Sequence, residues 1–287
     1  MKLKKAVKVL LSCVLAGALF TGCGGSSGDT GSKPAAEPAP VKLGMITHLN
    51  ANEQKMEEIL DNVTEKTGVN VSKYVITFYD NLKLMQMGIE SGSVDQISTY
   101  TSVGNYLTAT NDKYEVVKDT ALMKLADSFC FAVRKDDVNL KADLDKAIDA
   151  MKSDGTLDKL VAEYITNVKP DNIPKVDIPK LDGAETIKVG VTGDLPPLDL
   201  ILADGSPAGF NTAMLAEIGK RLNRNVEVVD IDSGARAAAL SSNQIDVIFW
   251  VSVPAGDKVP ADIDKPESLE LSAPYFKDDI THLKFKK

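Results

Sequence analysis

Histidine is nearly missing from this chain. There are two, His48 and His282, and they are too isolated in sequence to suggest a metal pair. Aromatic residues make up 6% of the chain, with one tryptophan, too few for a cage of rings around a ligand. Cysteine occurs three times, and Cys13 and Cys23 both lie in the first 23 residues. Cys130 is then the one thiol in the body of the chain, which excludes an intrachain disulfide there. It sits in the apolar run Phe129-Cys130-Phe131-Ala132-Val133 and reads as a buried structural residue rather than a nucleophile. Neither H-E-x-x-H nor C-x-x-C occurs, so the common zinc and redox signatures are absent. The apolar run from Val9 to Phe20 is shorter than the about 20 residues a membrane-spanning helix needs.

That run has another reading. Lys2, Lys4, Lys5 and Lys8 precede it and small residues follow, the pattern of a secretory signal over residues 1–22. The ending Phe20-Thr21-Gly22-Cys23 resembles the lipobox of bacterial lipoproteins, with Phe20 in place of the usual leucine. The resemblance implies cleavage before Cys23 and a lipid on its sulfur; the alternative is ordinary secretion with Cys23 as a spare thiol. Loss of the four signal lysines takes the formal net charge from −8 to −12. So acidic a body argues against nucleic acid as a partner, and leaves lipid rather than charge to hold it at a membrane.

Two stretches rich in proline divide the rest. Residues 23–40 hold Gly, Ser and Pro without apolar periodicity and form a flexible leash behind Cys23. Residues 169–185 carry Pro170, Pro174 and Pro179, which exclude a regular helix or central strand. Between them, apolar spacing predicts strands at 41–47, 75–79, 95–100 and 129–133, with helices at 53–66, 82–90, 103–107, 140–151 and 157–165. After the second stretch the same grammar returns, with strands at 187–191, 226–231 and 245–251 and helices at 212–222 and 235–240. MGIESGSVDQIST (87–99) parallels AALSSNQIDVIFW (238–250): an apolar helix, a small polar turn, then an aspartate opening a buried strand. Alternation of this kind predicts an α/β fold of two similar lobes, each a mainly parallel sheet with helices on both faces.

Residues 187–222, IKVGVTGDLPPLDLILADGSPAGFNTAMLAEIGKRL, resemble the N-terminal lobe of the type II periplasmic solute-binding proteins of bacterial ABC transporters, in particular the amino-acid-binding family. NQIDVIFW matches that family's helix-to-strand step, LSAPYFKDDITHLKFKK its hinge segment, and residues 129–165 its C-terminal signature. The order is changed, since the family's C-terminal signature comes here before its N-terminal lobe. The resemblance implies a circular permutation: residues 41–128 as lobe two, 129–168 returning to complete lobe one, 169–185 as linker, and 186–287 as lobe one. The other reading is two separate truncated halves.

The resemblance also implies a ligand cleft at the C-terminal ends of the strands of both lobes. The candidate lining is Thr47, His48 and Asn50 after the first strand, Tyr79 and Asp80 after the second, and Tyr100, Asp194, Arg236, Trp250 and Lys258. Each has a plainer reading. Asn50 also suits an N-cap, Arg236 a surface pair with Asp232, and Trp250 a core or hinge position. Tyr100 stands where the family has the aspartate that binds an α-ammonium. Ala255 and Lys258 stand where it has T-x-x-R, so a standard amino-acid head group loses its usual partners. An arginine at a helix start opposes the helix dipole, which predicts an anion held between Arg236 and the 47–52 loop. The function expected is that of a monomeric, lipid-anchored, extracytoplasmic binding protein. It would take a small polar or anionic solute and hand it to an ABC transporter permease, with no catalysis and no cofactor. The alternatives are a sensor partner of a membrane receptor and a dehydratase-like enzyme on the same scaffold.

Overall fold

The protein is described by a computed structural model covering residues 39–47, 49, 58, 61, 62, 64–66, 68, 74–118, 125–169, 173–256 and 265–286. The signal, Cys23 and most of the leash lie outside the described residues. Strand β1 (Val41–Ile46) pairs in parallel with β2 (Tyr74–Tyr79) on one side and β3 (Gln96–Tyr100) on the other. Helix α1 (Leu82–Ser91) connects β2 to β3, and α2 (Thr101–Thr110) follows β3, longer than the 103–107 expected. Of the helix expected at 53–66, residues 58, 61, 62 and 64–66 are helical; the remainder lies outside the described residues.

The second half repeats this order. β6 (Thr186–Val191) lies between β10 (Asn225–Asp230) and β11 (Val247–Pro254), parallel to both. In each half the first strand therefore becomes the middle one, with the next two strands laid on opposite sides of it. The connecting helices are α5 (Phe210–Leu222) and the short α6 (Arg236–Ser241). β11 is buried on both faces through Val251, the mark of a central strand. The loop after β6 folds into a small sheet of β7 (Asp194–Leu195), β8 (Asp199–Ile201) and β9 (Pro207–Ala208), none of which the sequence pattern predicts. Lys175, in the proline-rich linker, bridges onto Ala208, so part of that linker lies extended along the body.

The sheets are not mainly parallel where the halves meet. β5 (Ala126–Arg134) runs antiparallel to β11 and continues the β6 sheet, with β12 (Leu269–Leu271) beside it. β13 (Phe276–Phe285) is antiparallel to both halves: residues 276–279 pair β5, and residues 280–283 pair β3. The short β4 (Tyr114–Val116) pairs its far end. One strand thus threads a continuous sheet ordered β10-β6-β11-β5-β13-β3-β1-β2. Helices α3 (Val138–Ser153) and α4 (Thr156–Val161) follow β5, and a single π turn replaces the helix expected to reach 165. The main apolar cluster runs through both halves, from Met85 and Ile97 to Phe129, Val189 and Met214. Cys130 is buried, and burial pushes its thiol up to about 11, so it is protonated and unreactive at neutral pH.

Candidate functional site

The C-terminal ends of β1, β2 and β3 face those of β6, β10 and β11 across a cavity of about 80 Å³. Thr47, Asp80 and Tyr100 line it from one half; Asp194, Arg236 and Trp250 line it from the other. His48, Asn50 and Lys258 lie outside the described residues. Tyr79 is the exception. Its ring packs between two glycines, within 3.1 Å of the point where a β-carbon on Gly44 would stand and overlapping that of Gly88. The missing side chains make room for the ring on the α1 side of the sheet, away from the cavity.

Hydrogen bonds hold the two halves together at the cavity rim. The Ser233 amide donates to Asp80 O (3.2 Å) and its hydroxyl to Thr47 O (2.7 Å). Asn81 Nδ2 donates to Asp232 Oδ1 at 3.2 Å, while Asn81 Oδ1 caps α1 by accepting from the Leu84 amide. The Leu82 and Lys83 amides at the start of α1 both donate to Asp194 Oδ2, at 2.5 and 3.3 Å. A helix N-terminus attracts an anion; here a carboxylate from the opposite half fills that place. Asp199, 1% exposed, fixes the loop bearing Asp194 by accepting from the Thr192 and Gly193 amides and the Thr192 hydroxyl.

Arg236 is 5% exposed, so it is not a surface residue paired with Asp232. The anion expected to offset it has a substitute inside the protein. β11 carries a bulge between Ile248 and Val251, and Trp250 there has φ of 63°. A tryptophan in the left-handed region is strained unless its surroundings fix it. The bulge leaves two successive carbonyls, of Phe249 and Trp250, and Arg236 Nη1 donates to both at 2.9 and 3.0 Å. Its Nε and Nη2 donate to Ser233 O and Oγ. The guanidinium therefore braces a bulge and the 233–235 turn. The Trp250 ring stacks on Phe129, centroids 3.6 Å apart and planes within 12°, and meets Tyr100 edge-on at 5.8 Å. Trp250 is thus both a packed core residue and a wall of the cavity.

Asp127, at the start of β5, also lines the cavity. The sequence pattern starts that strand at Phe129 and passes over it. The Tyr100 hydroxyl donates to Asp127 Oδ2 at 3.1 Å. Burial pushes Asp127 up to about 7; the Tyr100 bond opposes the rise and the charge of Asp278 adds to it. Burial pushes Asp194 up to about 6 against the pull of the Leu82 and Lys83 amides, with Asp199 and Asp230 adding to the rise. Asp194 Oδ1 is buried without a hydrogen-bond partner among the described residues. Among the described residues no group of three His, Cys, Asp or Glu side chains is arranged to hold a metal ion.

Residues 187–253 match the family described as bacterial extracellular solute-binding proteins, family 3. No curated protein sequence matches the chain. Several solved structures are similar at low identity. The GluR0 ligand-binding core from Nostoc punctiforme in complex with L-glutamate is 8% identical, over 86% of this chain and 85% of its own, with a TM-score of 0.36. The VFT2 domain of Bordetella pertussis BvgS is 12% identical over 86% and 81%, with a TM-score of 0.39. An ancestral arginine-binding protein bound to arginine is 11% identical over 87% and 85%, with a TM-score of 0.38. The stretch similar to the family 3 extracellular solute-binding proteins is thus the one that supplies Asp194, Arg236 and Trp250.

Proposed function

We propose that this protein is an extracytoplasmic solute-binding lipoprotein that captures a small polar, amino-acid-like solute between its two halves and delivers it to an ABC transporter. The observation that carries the reading is the cavity itself. It lies at the C-terminal strand ends of both halves, where open α/β sheets place their ligands, and polar side chains from both halves reach it. One strand, β13, pairs with both halves and is the connection about which opening of the rim would turn. The chain order is read as a circular permutation of the family's: β5, which precedes β6 by a whole linker, completes the β6 sheet. Anchoring rests on the lipobox-like Phe20-Thr21-Gly22-Cys23. A thermal-shift screen over amino acids, dicarboxylates and aromatic acids tests the reading. At least one should raise the melting temperature in a dose-dependent way, and a flat response across the panel would count against a solute-binding role.

A further inference from the structure

We infer that the hinge between the two halves is a pH-sensitive switch: Asp127 and Asp278, opposed across β5 and β13 where β13 passes from one half to the other, favour the closed arrangement when one of them is protonated and the open one when both are ionised. The pair stands at the crossing itself. Residues 276–279 of β13 pair β5 and residues 280–283 pair β3, and Asp278 lies in register with Asp127 just before that change. Partners in register on antiparallel strands project from the same face, and like charges placed so destabilise the pairing. The partner of Asp127 is the Tyr100 hydroxyl, not a cation. Asp278 Oδ2 accepts from the Ser102 amide at 3.0 Å and from the Ser102 hydroxyl, at the start of α2. Those two bonds favour the ionised form of Asp278, so the proton falls to Asp127.

Closure couples that proton to the position of the halves. Asp127 lines the cavity, around which Asp80, Asp194 and Arg236 are the other charged groups. Water entering an opened cavity solvates an ionised Asp127 and screens it from Asp278. In the closed arrangement burial raises Asp127 to about 7, with the Tyr100 bond opposing and the charge of Asp278 adding to the rise. Burial raises Asp278 as well, with Ser102 opposing and the neighbouring Asp279 adding. The closed form therefore keeps a proton that the open form gives up. Closure weakens by up to about tenfold per pH unit between the ordinary carboxylate range and the raised value. Trp250, the one tryptophan, lines the cavity at 4% exposure and reports its opening. Acrylamide quenching of its fluorescence, read as a rate constant from lifetimes in the empty protein from residue 23 onward carrying Cys23→Ser, tests the switch. Quenching should be faster at pH 8 than at pH 5. Asp127→Asn should lose most of that difference and stay slowly quenched at both values. Asp278→Asn should narrow the difference, and Tyr100→Phe, which keeps the ring but removes the bond favouring ionised Asp127, should widen it. These opposite shifts decide the matter even if Asp127→Asn does not fold. Equal quenching of the parent at both pH values overturns the inference. So does a difference kept in Asp127→Asn and lost in Asp194→Asn, which would give the switch to the rim and not to the hinge. No solute is added, so either outcome leaves the solute-binding reading to its own thermal-shift screen.

Discussion

At the scale of single residues, Arg236 shows how a side chain singled out for a ligand can have a structural role. The sequence signal was an arginine opening an alanine-rich helix, with no visible need for its charge. The need lies fourteen residues further on, in a bulge that no periodicity reveals. Arg236→Met should leave the Phe249 and Trp250 carbonyls unpaired, at about 1–3 kcal/mol each. A domain of this size loses roughly 2–4 °C per kcal/mol, so calorimetry should show a clearly lower melting temperature for the empty variant. An unchanged value would mean that water satisfies both carbonyls. The acids around the cavity give a second expectation. Asp127 and Asp194 are raised to about 7 and about 6 in the folded state, and Asp199, Asp230 and Asp278 are raised by the same burial. A carboxyl whose folded value exceeds its unfolded one binds more protons when folded, so its stabilising effect is complete at low pH and is lost as pH rises through the folded value. Asp154, lowered to about 2 by its bonds to Thr156 and Arg221, acts in the opposite sense but only below about pH 4. The empty protein should therefore melt higher at pH 5 than at pH 8, and Asp127→Asn should narrow that gap. Asp127 itself escaped the sequence pattern because it precedes the apolar run, with nothing local to mark it as cavity-facing.

At the scale of elements, strands and helices with one buried face were legible, and short pieces made by tertiary pairing were not. β1, β2, α1, β3, β6 and β10 lie within a residue or two of their expected bounds, because each carries its own period of two or 3.6. β4, β7, β8, β9 and β12 span two or three residues apiece, too few to display any period. Tyr79 failed at this scale for a related reason. Alternation assigns it a face but not a neighbour, and the neighbours are the absent side chains of Gly44 and Gly88. Gly88 lies within α1, where alanine is the better helix former by roughly 1 kcal/mol. Yet a β-carbon there would stand 2.1 Å from Tyr79 Oη and 2.7 Å from Cζ. The ring is wedged against Gly44 and cannot retreat in that direction. Overpacking of this kind costs typically 1–3 kcal/mol, so Gly88→Ala should be net destabilising by chemical denaturation. Adding Tyr79→Phe should recover part of the loss, because the hydroxyl makes the closest approach.

At the scale of the whole molecule, the repeat of β-α-β grammar was readable, and it corresponds to two three-stranded parallel cores with the same order of strands. The way they join was marked by resemblance, which made residues 271–287 a hinge segment, and not by any periodicity of the strand itself. β13 pairs with both halves because its two ends offer suitable edges to β5 and β3, a property of the assembled sheet and not of the residues 276–285 themselves. The joined state is closed: a cavity of about 80 Å³ is well below the roughly 300–1,000 Å³ common for ligand pockets. A solute of amino-acid size must therefore open the rim before it can enter. The rim bonds set how readily that happens. The two from Ser233 are neutral and the one from Asn81 reaches a single oxygen of the Asp232 carboxylate, whereas Asp194 joins a charge to two amides at a helix N-terminus. Charge-assisted bonds are about twice as strong as neutral ones, so Asp194 is the main clasp between the halves. Asp194→Ala removes it without touching the core. Small-angle scattering of the empty variant should then give a larger radius of gyration than the parent, with the shift from open to closed on ligand addition becoming more pronounced. Acidifying the parent from pH 8 to pH 5 should not reproduce the expansion: burial in the closed state raises Asp194 to about 6, so closure takes up protons and is favoured as pH falls. An unchanged radius in Asp194→Ala would place the clasp in the Ser233 and Asn81 bonds instead.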